Sequence, residues 1–145
     1  MISRILVATD GSATAQKAAK YAVHLAQQLR ASIIILSVID NMALVNHYSV
    51  PPQATANMEF YLKKAAEKSV EKVERLCEKQ GIRSKGVIYS GHPADEIVKH
   101  AERSRSHLII MGSHGKRPLA AMFLGSITYG VIHRDTKVPV LIIRK

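Results

Sequence analysis

The segment MGSHGKRPLAAMFLGS, residues 111–126, holds three glycines at fixed intervals and a hydroxyl directly after the last: Gly112, Gly115, Gly125 and Ser126. It follows an apolar run, HLIIM, that reads as a buried strand ending at Met111. Without side chains, Gly112 and Gly115 let backbone N–H groups converge on an anion. Gly125 and Ser126 stand where the last helix is expected to begin. A helix N-terminus offers unpaired N–H groups and a positive dipole end, so it accepts phosphate. Ser126 adds a hydroxyl donor, Lys116 and Arg117 could add charge, and His114 inside the cradle either bonds a phosphate or is a solvated turn residue. The plainer alternative is that Gly112 and Gly115 only make the turn and Gly125 relieves crowding. The strand-end position and the Gly-Ser pair at a helix start favour the phosphate reading.

Asp10 ends the first apolar run, RILVAT. Its carboxylate can accept hydrogen bonds from ribose hydroxyls, or it can turn the chain before the first helix. Val38, near the end of SIIILSVI, would meet a base only through its backbone. Asp10, with Asp40 nearby at another strand end, is the only acid near the expected phosphate site. A single ribose-bound Asp makes a poor general base for attack on a γ-phosphate. Binding with slow or absent hydrolysis is therefore expected, and no catalytic residue is assigned. Neither GxxxxGK[ST] nor GxGxxG occurs. The 7 histidines form no tight ligand spacing, so no protein-held metal site is expected.

These residues need a frame. Residues 4–9, 32–39, 83–90, 107–111 and 138–143 read as strands, the third more polar and so placed at the outside. Between them, helices are expected after the cap Ser12, over 55–80 up to Gly81, over 93–104 and over 126–134. Ala15, Ala18, Ala19, Ala22, Leu25, Ala26 and Leu29 mark the inner stripe of the first helix. Met58, Leu62, Ala65, Ala66, Ser69, Val73, Leu76 and Cys77 mark that of the second. Strands alternating with helices imply an α/β fold: a single domain, residues 1–145, with an open five-stranded parallel sheet and helices on both faces. Ligands of such sheets bind beyond the carboxyl ends of the strands, where the strand order reverses. The long Pro-containing connection 41–57, with Tyr48 and Val50 before Pro51-Pro52, is a candidate lid.

With 145 residues the chain suits one domain. A formal net charge of +10 favours anionic partners. The 21 Lys and Arg are interleaved with Glu, and 2 Phe, 5 Tyr and no Trp leave little for stacking bases. A nucleic-acid partner is therefore not expected. One cysteine, no apolar stretch of spanning length and an N-terminus without signal-peptide grammar lead to the expectation of a cytoplasmic protein that does not enter membranes.

The pattern Gly112-x2-Gly115-x9-Gly125-Ser126 resembles the G-x2-G-x9-G-[ST] signature of the ATP-binding branch of the universal stress protein family. RILVATDGS, IIILSVID, GHPADEIVKHA and VPVLIIRK resemble the family as well, so the likeness covers the whole chain. The resemblance implies the strand order 3-2-1-4-5 of adenine nucleotide α-hydrolase-like folds. It implies that Asp10 binds ribose, that Ala8 and Thr9 line the adenine side, and that the Val38 backbone reads adenine. It further implies that Met111 and Gly112 floor the nucleoside and that Gly115, Gly125, Ser126 and Ile127 cradle the phosphates. ATP or AMP would be the ligand, with Mg²⁺ or Mn²⁺ arriving on the phosphates, and the last strand, 138–143, would form a homodimer. Pro118 stands where a variable residue is expected and could stiffen the 116–124 segment. The function implied is a nucleotide-dependent stress-response sensor or switch with an unknown protein partner. The alternatives are a slow ATPase or nucleotidyl-transfer enzyme, which TDGSATA disfavours by lacking the paired glycines of an SGGxDS-like loop, and a basic nucleic-acid-binding protein.

Overall fold

The computed structural model describes residues 1–42, 51–116 and 123–145. The element order is β1 (Arg4–Ala8), α1 (Ala13–Leu29), β2 (Ser32–Asp40), α2 (Pro52–Lys79), β3 (Ser84–Gly91), α3 (Pro93–Arg103), β4 (Leu108–Gly112), α4 (Ser126–Ile132) and β5 (Val140–Ile143). The strands form one sheet in the order β3-β2-β1-β4-β5, and each adjacent pair is parallel. This is the expected α/β architecture and strand order.

Alternation along the strands sorts the core into two layers. Ile5, Val7, Ile33, Ile35, Leu108 and Ile110 face α1 and α2. Leu6, Ala8, Leu36, Ile109 and Met111 face α3 and α4. The central strand is dry: Ile5, Leu6 and Val7 have no exposed surface, and each such side chain contributes about 1.5–3 kcal/mol. Helix α1 meets the sheet through Ala15, Ala18, Ala19, Ala22 and Ala26. Small side chains let its backbone lie close to the strands. The expected stripe member Leu29 is exposed instead, and Val23 is buried in the stripe.

Ends follow local chemistry. The Ser12 hydroxyl caps α1 by accepting the Ala15 N–H at 3.2 Å. Helix α2 starts at Pro52, three residues earlier than the periodicity places it. Proline is at home in the first helical turn, where its missing N–H has no partner to lose. Gly81, at φ +67°, closes the same helix as expected. Strand β5 begins at Val140 rather than 138. Pro139 has no N–H to donate and enters the ladder only as an acceptor, from the Ile109 N–H at 2.9 Å.

From β1 the chain moves outward through β2 to β3 on one side, and β4 and β5 lie on the other. The strand order therefore reverses between β1 and β4. The connections that leave those two strands go to opposite faces of the sheet, from β1 to α1 and from β4 to α4, and leave a crevice between them.

Candidate functional site

The crevice holds a cavity of about 410 Å³. All eleven residues singled out from the sequence line it. Ala8, Thr9 and Asp10 come from the end of β1 and Val38 from β2. Met111, Gly112, His114 and Gly115 come from β4 and the turn after it. Gly125, Ser126 and Ile127 come from the start of α4. Lys116 and Asp40 also line it, both noted as nearby charges. Sequence reasoning missed Ala15, Leu36, Pro93, Ile97 and Thr128. Pro93 and Ile97 bring α3 in as a wall of the site.

Asp10 is the pivot. Its Oδ1 accepts the Ser12 N–H at 2.9 Å, and its Oδ2 accepts the Lys116 N–H at 3.1 Å. It therefore turns the chain before α1 and also holds the glycine turn after β4. Each carboxylate oxygen has a second lone pair, so both retain capacity for a ribose hydroxyl. A Cβ on Gly115 would stand 2.7 Å from Oδ2. Gly115 lacks a side chain because the carboxylate passes there.

The three glycines have separate tasks, and none sits at positive φ. The turn therefore does not need them for backbone freedom. Gly112 is the last residue of β4 rather than part of the turn. A Cβ there would stand 3.0 Å from the Thr14 carbonyl carbon and 3.2 Å from the Ala15 nitrogen. Its task is close packing of β4 against the first turn of α1. Gly125 donates its own N–H to the Ser113 carbonyl at 2.7 Å. This bond pins the start of α4 to the glycine turn. A Cβ on Gly125 would lie 3.2 Å from His114 Cα. Helix α4 begins without a side-chain cap on its first N–H groups, and its first residues, Ser126 and Ile127, line the cavity. Thr128 is buried and donates its hydroxyl to the Gly112 carbonyl at 2.8 Å, which locks α4 to β4.

Val38 occupies the opposite end. The β1–β2 register stops at Ala8↔Leu36, while the β2–β3 register continues to Asp40↔Gly91. The Leu36 carbonyl accepts from Thr9 on the β1 side, and the Ile33 N–H donates to Arg83 on the β3 side. Alternation along a parallel ladder then sends the Val38 amide and carbonyl toward the β1 side, two residues past the end of that register. A flat heterocycle could meet a donor and an acceptor there, with Leu36, Met111 and Ile97 as apolar walls.

The two helical walls are joined at their outer side. Arg134 donates from Nε to Asp95 Oδ1 at 2.6 Å and from Nη1 to the Gly130 carbonyl at 2.6 Å. The Arg134 hydrogen bond holds the Asp95 carboxyl below its ordinary range, with the guanidinium charge adding to it. Among the described residues no group of three His, Cys, Asp or Glu side chains is placed to hold a metal ion. Lys116, which lines the cavity, and the start of α4 together suit an anion at one end, and the β2 edge suits a base at the other.

The sequence model of the universal stress protein family matches residues 1–144. The chain belongs to the universal stress protein family. Universal stress protein YxiE of Bacillus subtilis is 34% identical over 149 residues, covering 99% of this chain and 100% of the relative. Universal stress protein MJ0531 of Methanocaldococcus jannaschii is 31% identical over 146 residues, covering 100% of this chain and 84% of the relative. The solved structure of MJ0577 from the same organism superposes with a TM-score of 0.87 at 33% identity, covering 100% of this chain and 97% of that one. Residues 43–50 and 117–122 lie outside the described residues. The part of the candidate lid that holds Tyr48 and Val50 falls within them, together with Arg117 and Pro118. Among the described residues no helix is long and apolar enough to cross a membrane.

Proposed function

We propose that the chain is a stress-response module that binds ATP or AMP and acts as a nucleotide-dependent sensor or switch. One observation carries the reading: Asp10, the glycine turn and the start of α4 meet at one end of a cavity whose other end is the open Val38 edge of β2. In this reading Asp10 takes the ribose hydroxyls, and the Val38 backbone reads adenine. Met111 and Gly112 floor the nucleoside, and Gly115, Ser126 and Ile127 surround the phosphates, with Gly125 holding the two halves of the cradle together. Gly115 and Gly125 support this reading by letting Asp10, the glycine turn and the start of α4 close on one another, since a Cβ on either would meet Asp10 or His114. A universal stress protein solved in complex with cAMP shares the fold at a TM-score of 0.70 and 22% identity. So does an Arabidopsis thaliana family member with AMP bound, at 0.70 and 17%. The same architecture thus accommodates adenine nucleotides elsewhere.

Asp10 already binds two N–H groups and supports ligand orientation better than proton abstraction, so hydrolysis is slow or absent. Any Mg²⁺ or Mn²⁺ enters with the phosphates. Strand β5 is an edge strand with each residue half-buried, which supports pairing with a second copy through 138–143. The site of action is the cytoplasm. The test is titration calorimetry with ATP, AMP and GTP while free phosphate is followed. Adenine-selective binding without phosphate release supports the sensor; steady release assigns an ATPase.

A further inference from the structure

A second hollow, open to solvent, is lined by Ser113, His114, Phe123, Arg144 and Lys145. His114 lines this hollow and the main cavity. The backbone explains the adjacency. The Ser113 N–H donates to the Ile143 carbonyl at 2.8 Å, and the Ser113 carbonyl accepts the Gly125 N–H at 2.7 Å. One residue of the glycine turn therefore ties together the end of β5, which leads into Arg144 and Lys145, and the approach to α4, which carries Phe123. The Phe123 ring is 92% exposed. A lone exposed apolar side chain needs no explanation. Here it lines one hollow with two cations, and that hollow shares a wall with the anion end of the main site.

We propose that this hollow receives the far half of an extended nucleotide, and that the chain binds dinucleoside polyphosphates. The inference rests on adenine-nucleotide binding in the main cavity. One adenosine occupies that cavity, and the phosphate chain leaves it past His114. Arg144 and Lys145 neutralise the middle phosphates. The second base stacks on the Phe123 ring, a contact available to any base because each has a π-face. The chemistry explains why an aromatic ring and two cations occur together at this place, where a mononucleotide would use neither the ring nor the full hollow.

The experiment is calorimetry on the full chain with ATP, adenosine 5′-tetraphosphate and diadenosine polyphosphates of three, four and five phosphates. Adenosine tetraphosphate carries the extra charge without the second base. The best dinucleotide is expected to bind about tenfold tighter than adenosine tetraphosphate. Phe123→Ala should remove that advantage and leave ATP affinity unchanged; its exposed position lets the variant fold, and thermal unfolding checks this. Arg144→Ala combined with Lys145→Ala should weaken the tetraphosphates more than AMP and flatten their salt dependence. The proposal is overturned if no dinucleotide outperforms adenosine tetraphosphate, or if Phe123→Ala weakens ATP equally. If ATP binds and the dinucleotide gains nothing, the second subsite alone fails. If no adenine nucleotide binds, the main-cavity reading fails and this one with it.

Discussion

Gly112→Ala and Gly115→Ala change the same atoms three residues apart and should fail in different ways. At Gly112 the new methyl lands 2.8 Å from Thr14 Cγ2, 3.0 Å from the Thr14 carbonyl carbon and 3.2 Å from the Ala15 nitrogen. Two of these are backbone atoms at the start of α1, so relief requires the helix to lift from the sheet. Overpacking of this kind costs about 1–3 kcal/mol. At Gly115 the obstacle is Asp10 Oδ2 at 2.7 Å, with the next atom, Asp10 Cγ, at 3.9 Å. A carboxylate swings aside more cheaply than a helix moves. The stability loss is then about that of one hydrogen bond, the one from the Lys116 N–H, roughly 1 kcal/mol. The functional loss is larger, because the displaced carboxylate no longer meets the ribose. Losing a hydrogen bond to a charged group costs about 1.5–3 kcal/mol, roughly ten- to hundredfold in affinity. Urea unfolding and calorimetry with ATP separate the two. Gly112→Ala should lower the midpoint at unchanged slope with the smaller affinity loss. Gly115→Ala should keep most of its stability and lose most of its binding. Equal ratios of the two losses, or wild-type affinity in Gly115→Ala, would refute the assignment.

Other perturbations have equally definite outcomes. His100 is buried against the Tyr89 ring, centroids 4.1 Å apart, and its Nε2 has no hydrogen-bond partner among the described residues, with Glu96 Oε2 at 3.8 Å. Burial lowers its pKa, opposed by Glu96 and assisted by Arg103. The unfolded chain therefore binds the proton first, and stability falls as pH drops below the ordinary histidine value of about 6.5; His100→Gln should flatten that limb in urea titrations at stepped pH. Asp95 behaves oppositely. Its folded pKa is depressed by Arg134, so its contribution is present above the ordinary carboxylate value and is lost as pH falls through the lowered one. Arg134→Ala should remove this acid-side dependence and, by loosening α3 from α4, raise ATP dissociation rates in stopped flow. Cys77 is fully buried, and burial raises its thiol pKa. Iodoacetamide should modify it only in denaturant, as intact-mass spectrometry would record.

Much of this was legible along the chain because the determinants are local. Ser12 caps, Gly81 stops, and the continuous apolar runs at 32–39 and 107–111 are strands covered on both faces. The start of α2 was not, since Pro51-Pro52 looks like a loop until it is seen that Pro52 takes the first helical position. Strand ends and glycine spacing pointed to Thr9, Asp10, Val38, Met111, His114 and the glycine-serine framework, and the family resemblance added Ala8 and Ile127; all eleven line one cavity, but the packing partners of each were not legible. Gly112 answers to Thr14, Gly115 to Asp10, and Asp10 to Lys116; these partners are 98, 105 and 106 positions apart. No periodicity carries such information. Pro93 and Ile97 were missed for a related reason. Ile97 was read as an inward residue of its helix, which is correct, and nothing local says that the same side chain also faces a cavity. Thr128 carries a signal in retrospect: a hydroxyl on the inner side of a short apolar helix needs a buried acceptor, and the carbonyl of Gly112 supplies it.

The central claim is that the crevice between β1 and β4 reads an adenine nucleotide, and titration of the unmodified chain with ATP, AMP and GTP tests it most directly. The account predicts saturable binding of an adenine nucleotide, with GTP at least tenfold weaker because the Val38 backbone presents a fixed donor and acceptor. Equal affinity for ATP and GTP would contradict base reading at β2. Absence of binding by all three would mean that the glycines serve only to bring β4, α1 and α4 together.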